Sequence, residues 1–110
     1  MVKLQDYIEG AKDVMIDLNK KLEKAGLPRR SLMKALFNTA TAAKMKVKTI
    51  DDVKEVFALV GNAANWMDGQ IRVLREEKAD KKYIKVAQIA RKELMLALNF
   101  IKKVVAKAVA

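Results

Sequence analysis

The chain has 110 residues, enough for one domain with a modest hydrophobic core. It has no cysteine and no histidine, which excludes a disulfide scaffold, a thiol nucleophile and imidazole chemistry. Its formal net charge is +10, from 23 basic and 13 acidic residues. Glycine (4) and proline (1) are scarce, which favours long helices with few breaks over a many-stranded β fold. We therefore expect a single all-α domain over residues 1–110.

The hydropathy pattern predicts no membrane segment. The longest run without charge covers residues 56–67, whereas a spanning helix needs roughly 20 apolar residues. The first residues lack the apolar run of a signal peptide. We expect a cytoplasmic protein without membrane contact, and its lysine-rich, highly charged composition is typical of thermophile proteins.

The first apolar seam alternates steps of four and three residues, the spacing of a helix packed in a bundle. Its members are Leu4, Ile8, Ala11, Met15, Leu18, Leu22 and Ala25. Asp6 and Glu9 have the spacing of a capping box if the helix begins one turn late. Gly26 predicts the end of this helix, because glycine tolerates the left-handed backbone that follows a helix. Pro28 suits the first turn of the next one.

The second seam is shorter and weaker. Its members are Met33, Leu36, Ala40, Ala43 and Val47. Residues 39–43 all have small side chains, for which two interpretations stay open. Small residues let a neighbouring backbone come close, and alanine is also simply a good helix former.

The third segment begins at the clearest boundary. Thr49 and Asp52 have the spacing of a capping box, and Asp51 adds negative charge that suits a helix N-terminus. The seam that follows is Val53, Phe57, Val60, Ala64, Met67, Ile71 and Leu74.

The fourth seam has the same steps, but its phase is shifted by two residues. Its members are Tyr83, Ala87, Ala90, Leu94, Ala97, Ile101, Val104 and Ala108. Asp80 is the predicted N-cap. No glycine or proline marks this turn, so one continuous helix over residues 50–108 is an alternative. It would span about 90 Å and would need a dimer to bury its seam.

Four seams joined by short links predict an antiparallel up-down-up-down four-helix bundle. The alternative is two helices plus one long helix in a dimer.

No residue pattern predicts catalysis. Di-metal carboxylate bundles use Glu-x-x-His pairs, and the chain has no histidine. Asp13 and Asp17 share one helix face, but solvated surface is the simpler interpretation of this pair. Neither a glycine-rich phosphate loop nor a nucleophile motif is present. We expect a protein that is not an enzyme and that uses no cofactor, no metal and no small-molecule substrate.

Basic residues concentrate at the predicted end of the bundle that holds the first and third turns. Residues 24–50 include seven cations and no acid. Candidate polyanion-binding residues are Lys24, Arg29, Arg30, Lys34, Arg72, Arg75, Lys78, Lys81, Lys82 and Lys85. Such a cluster attracts DNA or RNA through phosphate contacts. Glu76 and Glu77 in the same hairpin, and the lack of aromatic residues among the cations, favour the alternative of a solvated, soluble surface.

Residues 35–43, 56–67 and 94–101 carry no charge. In an antiparallel bundle these stretches lie at one height and form a wide uncharged belt. A large exposed apolar surface of this kind is a candidate protein interface. Its candidate residues are Phe37, Leu59, Trp66, Val73, Ile89, Leu96 and Phe100. The alternative is a compact bundle that buries broad faces, in which Trp66 covers the core rather than anchoring a partner.

Two classes of function follow from these patterns. The first is a helical protein-interaction module that pairs with itself or with another protein, as a homo-oligomer or as a small accessory subunit of a larger, nucleic-acid-processing assembly. The second is a basic protein that binds DNA or RNA without sequence specificity.

Overall fold

The computed structural model contains four α-helices and, within the described residues, no strand. The helices are α1 (Leu4–Ala25), α2 (Arg30–Lys44), α3 (Ile50–Glu76) and α4 (Lys81–Val109). The structure describes the backbone of residues 3–26 and 30–109 and the side chains of residues 3–26 and 32–107. The predicted fold class is therefore confirmed. Pro28 lies outside the described residues.

Each helix packs against two neighbours: α1 and α3 both contact α2 and α4. The contacts along each pair are antiparallel. In the α3–α4 pair, Asp68 contacts Arg91, while a Cβ at the earlier position Gly61 would lie 4.0 Å from the later residue Leu98. The result is an up-down-up-down bundle of 46 × 22 × 20 Å with one continuous core.

Most seam residues of α1, α3 and α4 are buried as predicted. Among them Leu18, Leu22, Met67 and Leu94 are fully buried. The seam predictions fail near helix ends, where fewer neighbours cover a side chain: Ala25 is exposed and Val104 remains 39% exposed.

Phe57 is a second exception, because α3 turns Val56 into the core in its place. The Phe57 side chain lines an open groove of about 400 Å³ with Lys102 and Val105 of α4.

The predicted seam of α2 is wrong by one residue. Its buried stripe is Leu32, Ala35, Thr39 and Ala42, with Ala43 also buried. Met33 is half exposed and Val47 lies beyond the helix end. Thr39 can occupy a core position because its hydroxyl donates a 2.8 Å hydrogen bond to the Ala35 carbonyl, which satisfies the buried polar group within the helix.

Three predicted helix boundaries have the expected chemistry. Gly26 ends α1 with φ of 73°. The Thr49 hydroxyl accepts a hydrogen bond from the Asp52 N–H at 3.2 Å, and the Asp52 carboxylate accepts one from the Thr49 N–H at 3.2 Å. Asp80 accepts a hydrogen bond from the Lys82 N–H, as an N-cap does.

Helix α1 begins at Leu4, the first residue of its predicted seam, so the alternative of a start one turn later with an Asp6–Glu9 capping box is wrong. Leu4 is already helical, so Asp6 is the third residue of the helix rather than its N-cap. Its carboxylate accepts a 3.1 Å hydrogen bond from the Lys3 N–H, which satisfies one of the free donors of the first turn.

The turn between α3 and α4 is formed without glycine. Lys78 adopts the left-handed conformation with φ of 54°. The Lys78 N–H donates to the Arg75 carbonyl and the Ala79 N–H donates to the Leu74 carbonyl, the two bonds of a Schellman motif. The alternative of one continuous helix over residues 50–108 is therefore wrong.

Candidate functional site

The seven predicted interface residues do not lie on one side of the bundle. Phe100 packs on Tyr7 of α1, with ring centroids 5.7 Å apart. Trp66 lies on the far side of the molecule, where α3 meets α2. Phe37 is on the outer surface of α2 and is 70% exposed. The uncharged stretches of α2, α3 and α4 therefore present several separate surfaces rather than one.

Three of the seven residues lie on the surface between α1 and α4, which we call the α1–α4 face. On α4 the residues Ile89, Glu93, Leu96 and Phe100 recur at steps of four, three and four, so they share one edge of the helix. The Glu93 carboxylate lies 3.4 Å from the position that a Cβ at Gly10 would take, which orients this edge towards α1.

Helix α1 contributes a matching stripe to the α1–α4 face. Tyr7, Gly10, Val14, Asp17 and Lys21 recur at steps of three and four, beside the buried seam rather than in it. Tyr7 and Val14 pack partly against the core. Both helices therefore carry two stripes, one turned into the bundle and one turned towards its surface.

The middle of the α1–α4 face has little net charge, although the whole protein is strongly basic. Lys21 and Asp17 form an ion pair of 3.2 Å on it. Glu93 is partly buried beside Gly10, while Ile89 and Leu96 are 41% and 39% exposed. The face thus combines accessible apolar side chains with nearly balanced charges.

The remaining predicted interface residues belong to the opposite side of the bundle. Leu59, Trp66 and Val73 follow one another at seven-residue spacing on the edge of α3 that faces α2. Leu59 and Trp66 pack partly against the core, and Val73 is 36% exposed.

Trp66 also lines an open cavity of about 470 Å³ between α2 and α3, which we call the Trp66 cleft. Its other lining residues are Lys34, Ala35, Asn38 and Asn62. Lys34 and Asn38 are one helical turn apart, as are Asn62 and Trp66, so the two pairs face each other across the groove.

The predicted basic end contains exposed cations contributed by all four helices and the α3–α4 turn. Lys24, Lys34, Arg72, Arg75, Lys78, Lys81, Lys82 and Lys85 are all exposed. Within the described residues none of these eight forms an ion pair. The Lys82 ammonium lies 5.3 Å from the centre of the Tyr83 ring. Arg29 and the side chain of Arg30 lie outside the described residues.

The carboxyl of Asp52 has a lowered pKa, and the cause is structural. The Lys48 N–H donates to the Asp52 carboxylate at 3.0 Å, and this bond together with that from Thr49 lowers the pKa of Asp52. Asp52 therefore stabilises the N-terminus of α3 as part of its capping box. Among the described residues, no group of three or more acidic side chains is placed to hold a metal ion.

Sequence reasoning missed two parts of these surfaces. Tyr7 and Val14 have the same three-and-four spacing as the predicted seam, so the stripe on α1 was readable from the sequence. Asn38 and Asn62 meet only across two helices, and no pattern within either helix indicates that meeting.

No known family, curated protein or solved structure matches the chain. The described helices include none that is both long and apolar enough to cross a membrane.

Proposed function

We propose that the protein is a helical interaction module that self-associates through the α1–α4 face, as a homo-oligomer or within a larger assembly. The observation that supports this proposal is the second apolar stripe on each of the two helices, which leaves Ile89 and Leu96 accessible beside the Tyr7–Phe100 ring pair.

Pairing through the α1–α4 face would remove apolar surface from water, which is favourable. Full burial of a Leu or Ile side chain contributes about 1.5–3 kcal/mol, so covering the exposed two-fifths of each contributes about 1 kcal/mol. Two such side chains on each of two copies give about 4 kcal/mol before Tyr7 and Phe100 are counted.

Charge favours this face over the others as a self-contact. A protein of net charge +10 repels its own copies where lysines meet lysines. On the α1–α4 face the Asp17–Lys21 pair and Glu93 keep the local charge low. Two copies that meet there bring few unpaired lysines together at the centre of the contact.

Sedimentation velocity over a range of protein concentrations tests the proposal. We expect the wild-type protein to associate and Leu96→Glu to remain monomeric, because the new carboxylate would be buried between the two copies. Val73→Glu is the matched control, since Val73 is similarly exposed (36% against 39%) but lies on the α2 side of α3. A wild-type protein that stays monomeric at about 100 μM, a concentration at which association of about −5.5 kcal/mol is half complete, would contradict the proposal.

A second candidate function is binding of DNA or RNA at the basic end, supported by eight exposed cations that form no ion pair with any described residue. We expect a gel shift at about 50 mM salt that weakens steeply as salt is added. Arg72→Gln with Arg75→Gln should lower the slope of log K against log salt by about 2. Lys102→Gln with Lys103→Gln removes the same charge at the other end, and an equal effect there would refute this location.

A further inference from the structure

We propose that the Trp66 cleft binds a nucleoside phosphate, either as a free nucleotide or as one unit of a single-stranded nucleic acid. This site extends the second candidate function to a specific contact. It lies on the opposite side of the bundle from the α1–α4 face, so it does not depend on self-association.

The cleft offers an aromatic surface that is held in place by the fold. Trp66 packs partly against the core, and the rest of its side chain lines the cleft. A planar nucleobase stacks on an indole with a gain of about 1–3 kcal/mol, whichever base it is. Sequence reasoning found no aromatic residue among the cations, but the structure brings Trp66 into the same cleft as Lys34.

Two amide side chains in the cleft have unused hydrogen-bonding capacity. Neither Asn38 nor Asn62 forms a hydrogen bond with any other described residue, although Asn38 is partly buried. Each amide presents both a donor and an acceptor. The edge of a nucleobase presents the complementary groups, as the pairing of Asn with adenine illustrates.

The remaining polar group in the cleft selects for an anion. Lys34 is exposed and forms no ion pair with a described residue, and no carboxylate is among the described residues that line the cleft. Because Lys34 also belongs to the basic end, a phosphate held by its ammonium would lie where a longer strand could continue towards the other cations. The volume of about 470 Å³ falls within the usual range of about 300–1,000 Å³ for small-ligand sites.

The single tryptophan makes the test direct, since all indole fluorescence comes from this site. We expect adenosine 5′-monophosphate to quench this fluorescence saturably, and inorganic phosphate to leave it unchanged. Lys34→Ala and Asn62→Ala should each weaken binding about three- to tenfold, the usual effect of losing one hydrogen bond or charge contact. Lys44→Ala and Asn65→Ala are the matched controls, because both residues are exposed on the same two helices outside the cleft.

Titration with single-stranded oligoadenylate distinguishes the two sources of the ligand. Binding per site no tighter than that of the mononucleotide identifies a free nucleotide, and tighter, strongly salt-dependent binding identifies a strand. Calorimetry with Trp66→Phe and Trp66→Leu measures stacking without relying on fluorescence, and Leu should weaken binding more than Phe.

The proposal would be overturned if neither ligand quenched the fluorescence saturably, or if inorganic phosphate quenched it equally. Equal affinities of the cleft variants and the control variants for the nucleotide would also overturn it. So would a changed sedimentation coefficient of Trp66→Phe, because that change would show that a second copy covers the cleft. Duplex DNA binding at the basic end without quenching would leave the second candidate function standing and remove this site alone.

Discussion

Replacing Lys78 with glycine should stabilise the protein, because Lys78 holds the left-handed conformation that ends α3. In that conformation a residue with a side chain has a conformational energy about 1–2 kcal/mol less favourable than in the right-handed one, and glycine does not. The greater freedom of glycine in the unfolded chain offsets about 0.4–1 kcal/mol of this gain. We therefore expect Lys78→Gly to raise the free energy of unfolding by about 0.8 kcal/mol.

Equilibrium unfolding in urea, followed by circular dichroism at 222 nm, measures this change. The free energy of unfolding of a protein of this size falls by about 2 kcal/mol per molar urea, so the urea concentration at the unfolding midpoint should rise by about 0.4 M. Gly26→Ala is the mirror-image variant, since Gly26 ends α1 with φ of 73°, and it should lower the free energy of unfolding by about 1 kcal/mol. A lower midpoint for Lys78→Gly would refute the reasoning and would indicate that the lysine side chain stabilises the turn.

Two further predictions concern the core and the start of α3. Leu94 is fully buried, so Leu94→Ala should cost about 2–5 kcal/mol of stability in the same urea assay, and a loss below about 1 kcal/mol would show that the core collapses around the cavity. The hydrogen bonds that the Asp52 carboxylate accepts lower its pKa in the folded protein. They stabilise the protein fully at pH values above the ordinary aspartate pKa of about 3.9, and this stabilisation is lost as pH falls through the lower pKa of the folded state. Thermal unfolding of Asp52→Asn should therefore change less with pH below about 4 than that of the wild type, and parallel curves would count against this cap.

The helices of this fold were predictable wherever apolar and polar residues alternate without ambiguity. In α1 only the phase of Ile8, Met15 and Leu18 is apolar along the whole helix, because charged residues interrupt the other phases. In α2 apolar residues occur in adjacent pairs, as at Leu32 and Met33, so the pattern allows two phases. The structure selects the phase that buries Thr39, which the sequence does not favour because the hydrogen bond of its hydroxyl to Ala35 appears only in three dimensions.

The turn between α3 and α4 was visible only through Asp80. Its left-handed residue is a lysine, and lysine carries no signal for that conformation. The Schellman hydrogen bonds and the contact of Ala79 with the core fix the turn instead. Tertiary packing therefore supplies what a glycine would otherwise indicate in the sequence.

The candidate surfaces were predictable in composition but not in arrangement. The uncharged stretches correctly marked Leu96, Phe100 and Trp66 as off-seam residues. Which side of the bundle each residue occupies depends on how its helix is rotated about its own axis. The Tyr7–Phe100 contact shows this rotation for α4, and the position of Trp66 beside α2 shows it for α3.

The packing of α1 on α4 has a consequence for folding. Tyr7 and Phe100 meet across most of the length of the chain, so this pairing closes a long loop, which costs conformational entropy. Neither the α1–α2 hairpin nor the α3–α4 hairpin can cover its own seam, because each helix needs a neighbour on both sides. The two halves are consequently stable only together, and loss of the α1–α4 contact exposes the core of both.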